Sequence, residues 1–159
     1  MENRTKSEEL IALLLRRNLT LSAAESCTGG WFSKSLSDVP GASAVFFGGV
    51  VSYVNEVKER LLAVPHEAIE AHTAVSAPVA RAMAEGVRRA TGSDIGISVT
   101  GLAGPGGGTP EIPVGCVFVG VCRKNKETNV YPLDLTGSRE EIRLGAVHAM
   151  TDILIKLLS

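Results

Sequence analysis

A chain of 159 residues with 45% apolar and 21% charged side chains is long enough to bury one substantial core and reads as an ordinary folded domain. Sixteen basic residues against seventeen acidic ones leave a formal charge of −1, and with no long basic stripe this argues against nucleic acid as a partner. Three cysteines (Cys27, Cys116, Cys122) without CxxC spacing argue against a disulfide framework or a zinc site. No apolar run reaches the roughly 18 residues of a membrane span. The polar start Met1-Glu2-Asn3-Arg4 lacks a secretory pattern, so a reducing cytoplasm is the expected compartment.

Thr5 and Glu8 have capping-box spacing ahead of Leu10, Ile11, Leu13, Leu14 and Leu15, which predicts an amphipathic opening helix. A short strand over 19–25 follows, and Gly29-Gly30 turns the chain into a second helix that ends before Asp38-Val39-Pro40-Gly41. Residues 45–53 are apolar and β-branched enough for a strand, in which Gly48-Gly49 marks a bulge or a close backbone approach. Asn55 has the chemistry of an N-cap for a short helix through Leu62. A turn and brief helix over 65–72 precede a longer helix over 77–90, capped by Ser76, with Val79, Met83 and Val87 on one face. A strand over 94–100 feeds a loop over 101–113 that holds five glycines and three prolines. Strands over 114–122 and 128–135 form a hairpin whose turn, Arg123-Lys124-Asn125-Lys126, is the densest basic stretch. Ser138 and Glu141 repeat the capping-box spacing before a final helix with Ile142, Ala146, Val147, Met150 and Leu154 inward.

Strand and helix alternate before the closing hairpin and helix. That order predicts one α/β domain over 1–159, a three-layer α/β/α arrangement with a mixed sheet. Apolar helices at both ends fit a homodimer and fit burial in one core equally well.

Ser26 stands where a strand ends and a glycine turn begins, and Tyr53 and Thr100 end two other strands. Ligands of open α/β sheets sit beyond the carboxyl ends of the strands, so the three can converge on one crevice. Lys58 falls in the first turn of the helix after Asn55, where the helix dipole and partial burial would lower its pKa and free it to accept a serine proton. Each residue also has a structural explanation: Ser26 as an N-cap, Tyr53 as strand-end packing, Lys58 as a solvated helix lysine. The stretch Thr100-Gly101-Leu102-Ala103-Gly104-Pro105-Gly106-Gly107-Gly108-Thr109 matches neither a Walker A motif nor GxGxxG, yet its glycines would let backbone N–H groups approach an anion. A mobile loop would read the same. No GxSxG or SxxK motif occurs, and His66, His72 and His148 lack metal-ligand spacing. Cys27 is the rival nucleophile, although strand alternation turns it away from Ser26 and toward the core.

The segments Ala24-Glu25-Ser26-Cys27-Thr28-Gly29-Gly30, Asp38-Val39-Pro40-Gly41-Ala42-Ser43, Gly48 to Lys58 and Val99 to Gly107 resemble the CinA C-terminal domain over roughly residues 8–158. Stand-alone members of that family include nicotinamide-mononucleotide amidohydrolases, which form nicotinate mononucleotide and ammonia. The resemblance implies Ser26 as nucleophile, Lys58 as its base, Tyr53 as a proton relay, and no metal or organic cofactor. It also implies that Thr28, Gly29, Gly30, Thr100, Gly101, Gly104, Gly106 and Gly107 surround a mononucleotide substrate. Arg139 and Arg143, in the segment Gly137-Ser138-Arg139-Glu140-Glu141-Ile142-Arg143, would meet its phosphate, with the inward-facing one left open. A nucleotide-binding or regulatory module that keeps the pocket without the chemistry is the alternative.

Overall fold

In the computed structural model, residues 2–159 are described, with side chains from Lys6 onward. The strands are β1 (Leu21–Glu25), β2 (Phe46–Val51), β3 (Ile95–Gly101), β4 (Cys116–Arg123) and β5 (Asn129–Asp134). The helices are α1 (Glu2–Arg17), α2 (Trp31–Ser37), α3 (Asn55–Leu62), α4 (His66–His72), α5 (Ala77–Thr91) and α6 (Arg139–Leu158). Every residue of β1 and nearly all of β3 are buried, as strands covered on both faces require. They lie inside one mixed sheet of order β2-β1-β3-β4-β5. β1 runs parallel to β2 and β3, whereas β4 is antiparallel to β3 and β5. With α1, α2 and α6 on one face and α3, α4 and α5 on the other, the expected α/β layering is present.

The two faces are built differently. Ile95, Ile97 and Val99 of β3 and Val117, Val119 and Val121 of β4 join Leu10, Leu14, Phe32 and Met150 in the larger core. The opposite face carries small residues, and there α5 lies close. Ser98 Oγ donates to Ala80 O at 2.6 Å and accepts the Gly120 N–H at 3.2 Å. Val79, Met83 and Val87 of α5 are fully buried, on the single face that their spacing predicts.

Both readings of Gly48-Gly49 hold, at neighbouring residues. Leu21 pairs with Phe46 but Ser22 pairs with Gly48, so Phe47 is the extra residue of a bulge. A Cβ on Gly49 would stand 1.8 Å from Ala23 O. The capping box at Ser138 and Glu141 forms with both of its hydrogen bonds, and Ser76 Oγ accepts the Val79 N–H at 3.4 Å. Asn55 is not the cap expected of it. Val54 occupies the N-cap without a side-chain bond, and Asn55 is the first helical residue. α1 begins at Glu2, ahead of the expected cap at Thr5, whose side chain lies outside the described residues. None of the described helices is long and apolar enough to cross a membrane.

Register brings the site together. Glu25 pairs with Val51 on one side and Val99 on the other, so the residues just beyond them (Ser26, Ser52-Tyr53 and Thr100) lie side by side at one edge of the sheet.

Gly49→Ala is expected to destabilise the fold by about 2 kcal/mol, because its Cβ meets backbone that cannot swing away. In thermal melts this corresponds to a fall of roughly 4–8 °C. Gly106→Ala, with nothing within 4 Å of its Cβ, should leave the melting temperature unchanged.

Candidate active site

The turn after β1 is held by the residue before Ser26. Glu25 is fully buried, and its carboxylate accepts four hydrogen bonds: from Thr28 Oγ1 at 2.6 Å, Phe32 N at 2.9 Å, Ser33 N at 2.9 Å and Ser33 Oγ at 2.6 Å. Four bonds fill the lone-pair sites of a carboxylate. Two of the donors are N–H groups of the first turn of α2, so Glu25 supplies from a distance the capping that Gly30 cannot. The 26–30 segment is thereby tied at both ends, and Ser26 is fixed at its start.

Across the sheet edge, Lys58 is 1% exposed. Its Nζ donates to Ser26 Oγ at 2.9 Å, to Ser52 O at 2.8 Å and to Tyr53 O at 3.4 Å. Burial lowers its pKa to about 8, with a nearby Cys27 charge acting in the opposite direction. An ammonium uses three N–H groups for these three partners. A neutral amine keeps two on the carbonyls and turns its lone pair toward Ser26, whose hydroxyl then donates. The geometry therefore accommodates both protonation states and a proton passing between the two side chains.

Ser26, Lys58, Tyr53, Thr100, Gly101, Gly104, Gly106 and Arg139 line one cleft of about 250 Å³. Thr100 Oγ1 is turned to Ala74 O, to which it donates at 2.8 Å. Tyr53 is 56% exposed, and its hydroxyl accepts from Arg139 Nη2 at 2.9 Å rather than meeting Ser26 or Lys58. Arg139 is further held by Nη1 donating to Gly104 O at 2.8 Å, which joins α6 to the glycine loop. Asn55, Ala74 and Val75 also line the cleft. The sequence gives no lining signal for the two apolar residues. For Asn55 it gives a helix-cap signal, which the same side-chain chemistry carries.

Other expected site residues lie elsewhere. Arg143 packs behind the turn, donating from Nε to Cys27 O at 2.9 Å and from Nη2 to Thr28 O at 3.2 Å, with its guanidinium 5.7 Å from the Trp31 ring centroid. Thr28, Gly29 and Gly30 line a separate shallow cleft with it. Gly107 borders an adjoining apolar groove. Periodicity could not separate the arginines, since residues one turn apart share a helix face; their anchoring carbonyls do. Ser26 N–H donates to Val99 O and Gly29 N–H to Ser26 O, so neither is open to a ligand. Cys27 touches the cleft but belongs to the core, and burial pushes its thiol up to about 11, against the lowering effects of its own backbone N–H, Arg143 and Lys58. Among the described residues, no group of three or more His, Cys, Asp or Glu could hold a metal ion.

The CinA C-terminal domain matches residues 3–158. A CinA-like protein of Gemmatimonas aurantiaca is 53% identical over 151 residues, which cover 92% of this chain and 35% of the relative. A CinA-like protein of Chlorobaculum tepidum is 55% identical over 120 residues, 76% of this chain and 28% of the relative. The chain thus spans about a third of the length of the curated relatives it matches. The crystal structure of the competence/damage inducible protein CihA from Agrobacterium tumefaciens superposes with a TM-score of 0.96 at 34% identity, covering 100% of this chain and 97% of that one. The competence damage-inducible protein A of Klebsiella pneumoniae subsp. pneumoniae gives 0.94 at 31% identity, with 98% and 96% covered. With its fold, its motifs and these relatives in agreement, the chain belongs to the CinA C-terminal domain family.

Proposed function

We propose that the chain is a serine amidohydrolase that converts nicotinamide mononucleotide to nicotinate mononucleotide and ammonia, with Lys58 as the base. The observation that carries the chemistry is the 2.9 Å contact between Ser26 Oγ and a fully buried Lys58 Nζ. The family resemblance supplies the substrate. Arg139, exposed at the rim of the cleft, offers a cation to its phosphate.

Neutral Lys58 takes the Ser26 proton as Oγ attacks the carboxamide carbon. The tetrahedral oxyanion falls to backbone N–H groups of the 103–106 stretch, each worth on the order of 3 kcal/mol. Collapse breaks the C–N bond, and the proton held by Lys58 leaves with ammonia. Tyr53 has its hydroxyl oxygen engaged by Arg139 but its own proton uncommitted to that bond, which leaves it free to hydrogen-bond the departing nitrogen. Water, deprotonated by Lys58, then cleaves the nicotinoyl ester of Ser26.

Ammonia release from the mononucleotide tests this directly, with Ser26→Ala expected to reduce it to background. Lys58→Met should lower kcat by about 10²–10⁴-fold, the range of a lost general base. Tight mononucleotide binding without ammonia release from wild type would instead make the chain a binding module.

Lys58 must be neutral to act, so kcat/KM should rise with pH through about 8 and level off above it. A profile flat from pH 6.5 to 9 would contradict a lysine base. Arg139→Gln should raise KM for the mononucleotide about 10-fold or more, as loss of a charge-assisted contact does, and affect the riboside, which has no phosphate, far less.

A further inference from the structure

At the sheet edge opposite Ser26, a second cleft of about 310 Å³ opens between the start of β3, the end of β4 and the C-terminal ends of α1 and α6. Ile95 pairs with Arg123 there, whereas Glu25, beside Ser26, pairs with Val99. Four residues of strand, about 13 Å, separate the two edges. Four cations surround this cleft: Arg17, Arg123, Lys124 and Lys126. Its one lining carboxylate, Asp94, accepts the Thr20 N–H and Oγ1 on Oδ2, at 2.9 and 3.0 Å, and offsets one of the four positive charges. Among the described residues, none of the four cations has an ion-pair partner.

Arg123 Nε adds an independent observation. It is shielded from water and has no hydrogen-bond partner. Buried donors are almost always satisfied, because an unmet N–H keeps its full desolvation penalty. A hairpin turn does not explain it: the turn closes through Lys126 N–H to Arg123 O at 3.1 Å and is fixed to β3 through Lys124 N–H to Asp94 O at 3.0 Å, with no use of the guanidinium. Apart from Asn125, the remaining wall is apolar, formed by the partly buried Leu19 and Leu157 with Ile95 and Leu158. An orphaned guanidinium N–H, an excess of positive charge and a hydrocarbon wall together define a complementary ligand.

We propose that this cleft binds a small organic anion with an apolar body, its phosphate or carboxylate head on Arg123 and its body against Leu19 and Leu157. The volume, near the lower end of small-molecule pockets at roughly 300 Å³, admits one ring with its charged head. The site uses none of the residues around Ser26, so it stands or falls independently of the amidase reading.

The test is calorimetric titration with phenyl phosphate, phenylacetate, inorganic phosphate and benzyl alcohol, alongside amide NMR mapping. One aromatic anion is expected to bind at least about 10-fold more tightly than either inorganic phosphate or benzyl alcohol, the effect of losing body or head. Which of phenyl phosphate and phenylacetate prevails identifies the head group. Amides of Ile95, Arg123, Lys124 and Leu157 should shift. Arg123→Gln should weaken binding about 10-fold while the melting temperature stays within about 2 °C, since its guanidinium has no protein partner to lose. Should that variant fail to fold, Lys124→Gln with Lys126→Gln, both at exposed positions, tests the charge requirement and should weaken binding several-fold. Arg139→Gln should leave binding unchanged. No saturable binding of either aromatic anion, shifts confined to the Ser26 cleft, or affinity indifferent to these substitutions would overturn the proposal.

Discussion

Burying an ammonium beside a serine is costly in free energy, and the surroundings of Lys58 are arranged to contain that cost. Ser26 Oγ, Ser52 O and Tyr53 O provide three acceptors for three N–H groups, which keeps the charged form tolerable although 1% of the residue is exposed. Desolvation still favours the neutral form enough to bring the pKa down to about 8. The two carbonyls belong to the short link between β2 and α3, so the lysine is held by the backbone that delivers its own helix. Removing the serine partner would leave the amine in place; removing the carbonyls would not.

The other half of the pair depends on Glu25. A carboxylate at the end of a fully buried strand ties down the first turn of α2 and the Thr28 hydroxyl, and so sets where Ser26 projects. Arg143 braces the same turn from the far side through Cys27 O and Thr28 O. One helical turn earlier, Arg139 reaches the cleft through Gly104 O and Tyr53 OH. α6 thus fixes both the turn that carries Ser26 and the rim of the cleft, and its arginines divide into one brace and one group at the cleft.

Much of the fold is legible in the sequence because it depends on local patterns. The apolar face of α5, the capping box of α6 and the glycines of β2 all follow from residue type and period. Convergence of Ser26, Tyr53 and Thr100 follows from strand ends meeting in a parallel sheet. Three features escape local reading for physical reasons. Lys58 lies between Glu56 and Glu59 on a short helix, the pattern of a solvated lysine, and only packing of α3 against α5 and the sheet edge buries it. Asn55 has the chemistry of a helix cap, but its side chain lines the cleft. Glu25 does carry a signal, a charge within an otherwise apolar strand, yet its four partners lie three to eight residues ahead and become partners only once the turn is folded.

Everything in this account of the site rests on a lysine that loses its proton near neutrality while facing Ser26. Direct titration of Lys58 by NMR, following its ¹⁵Nζ and ¹³Cε shifts with pH in the intact chain, measures that property without reference to any substrate. The account predicts a midpoint at about 8. A midpoint at the ordinary lysine value of about 10.4 would mean a solvated ammonium, and would contradict the role given to the buried pair.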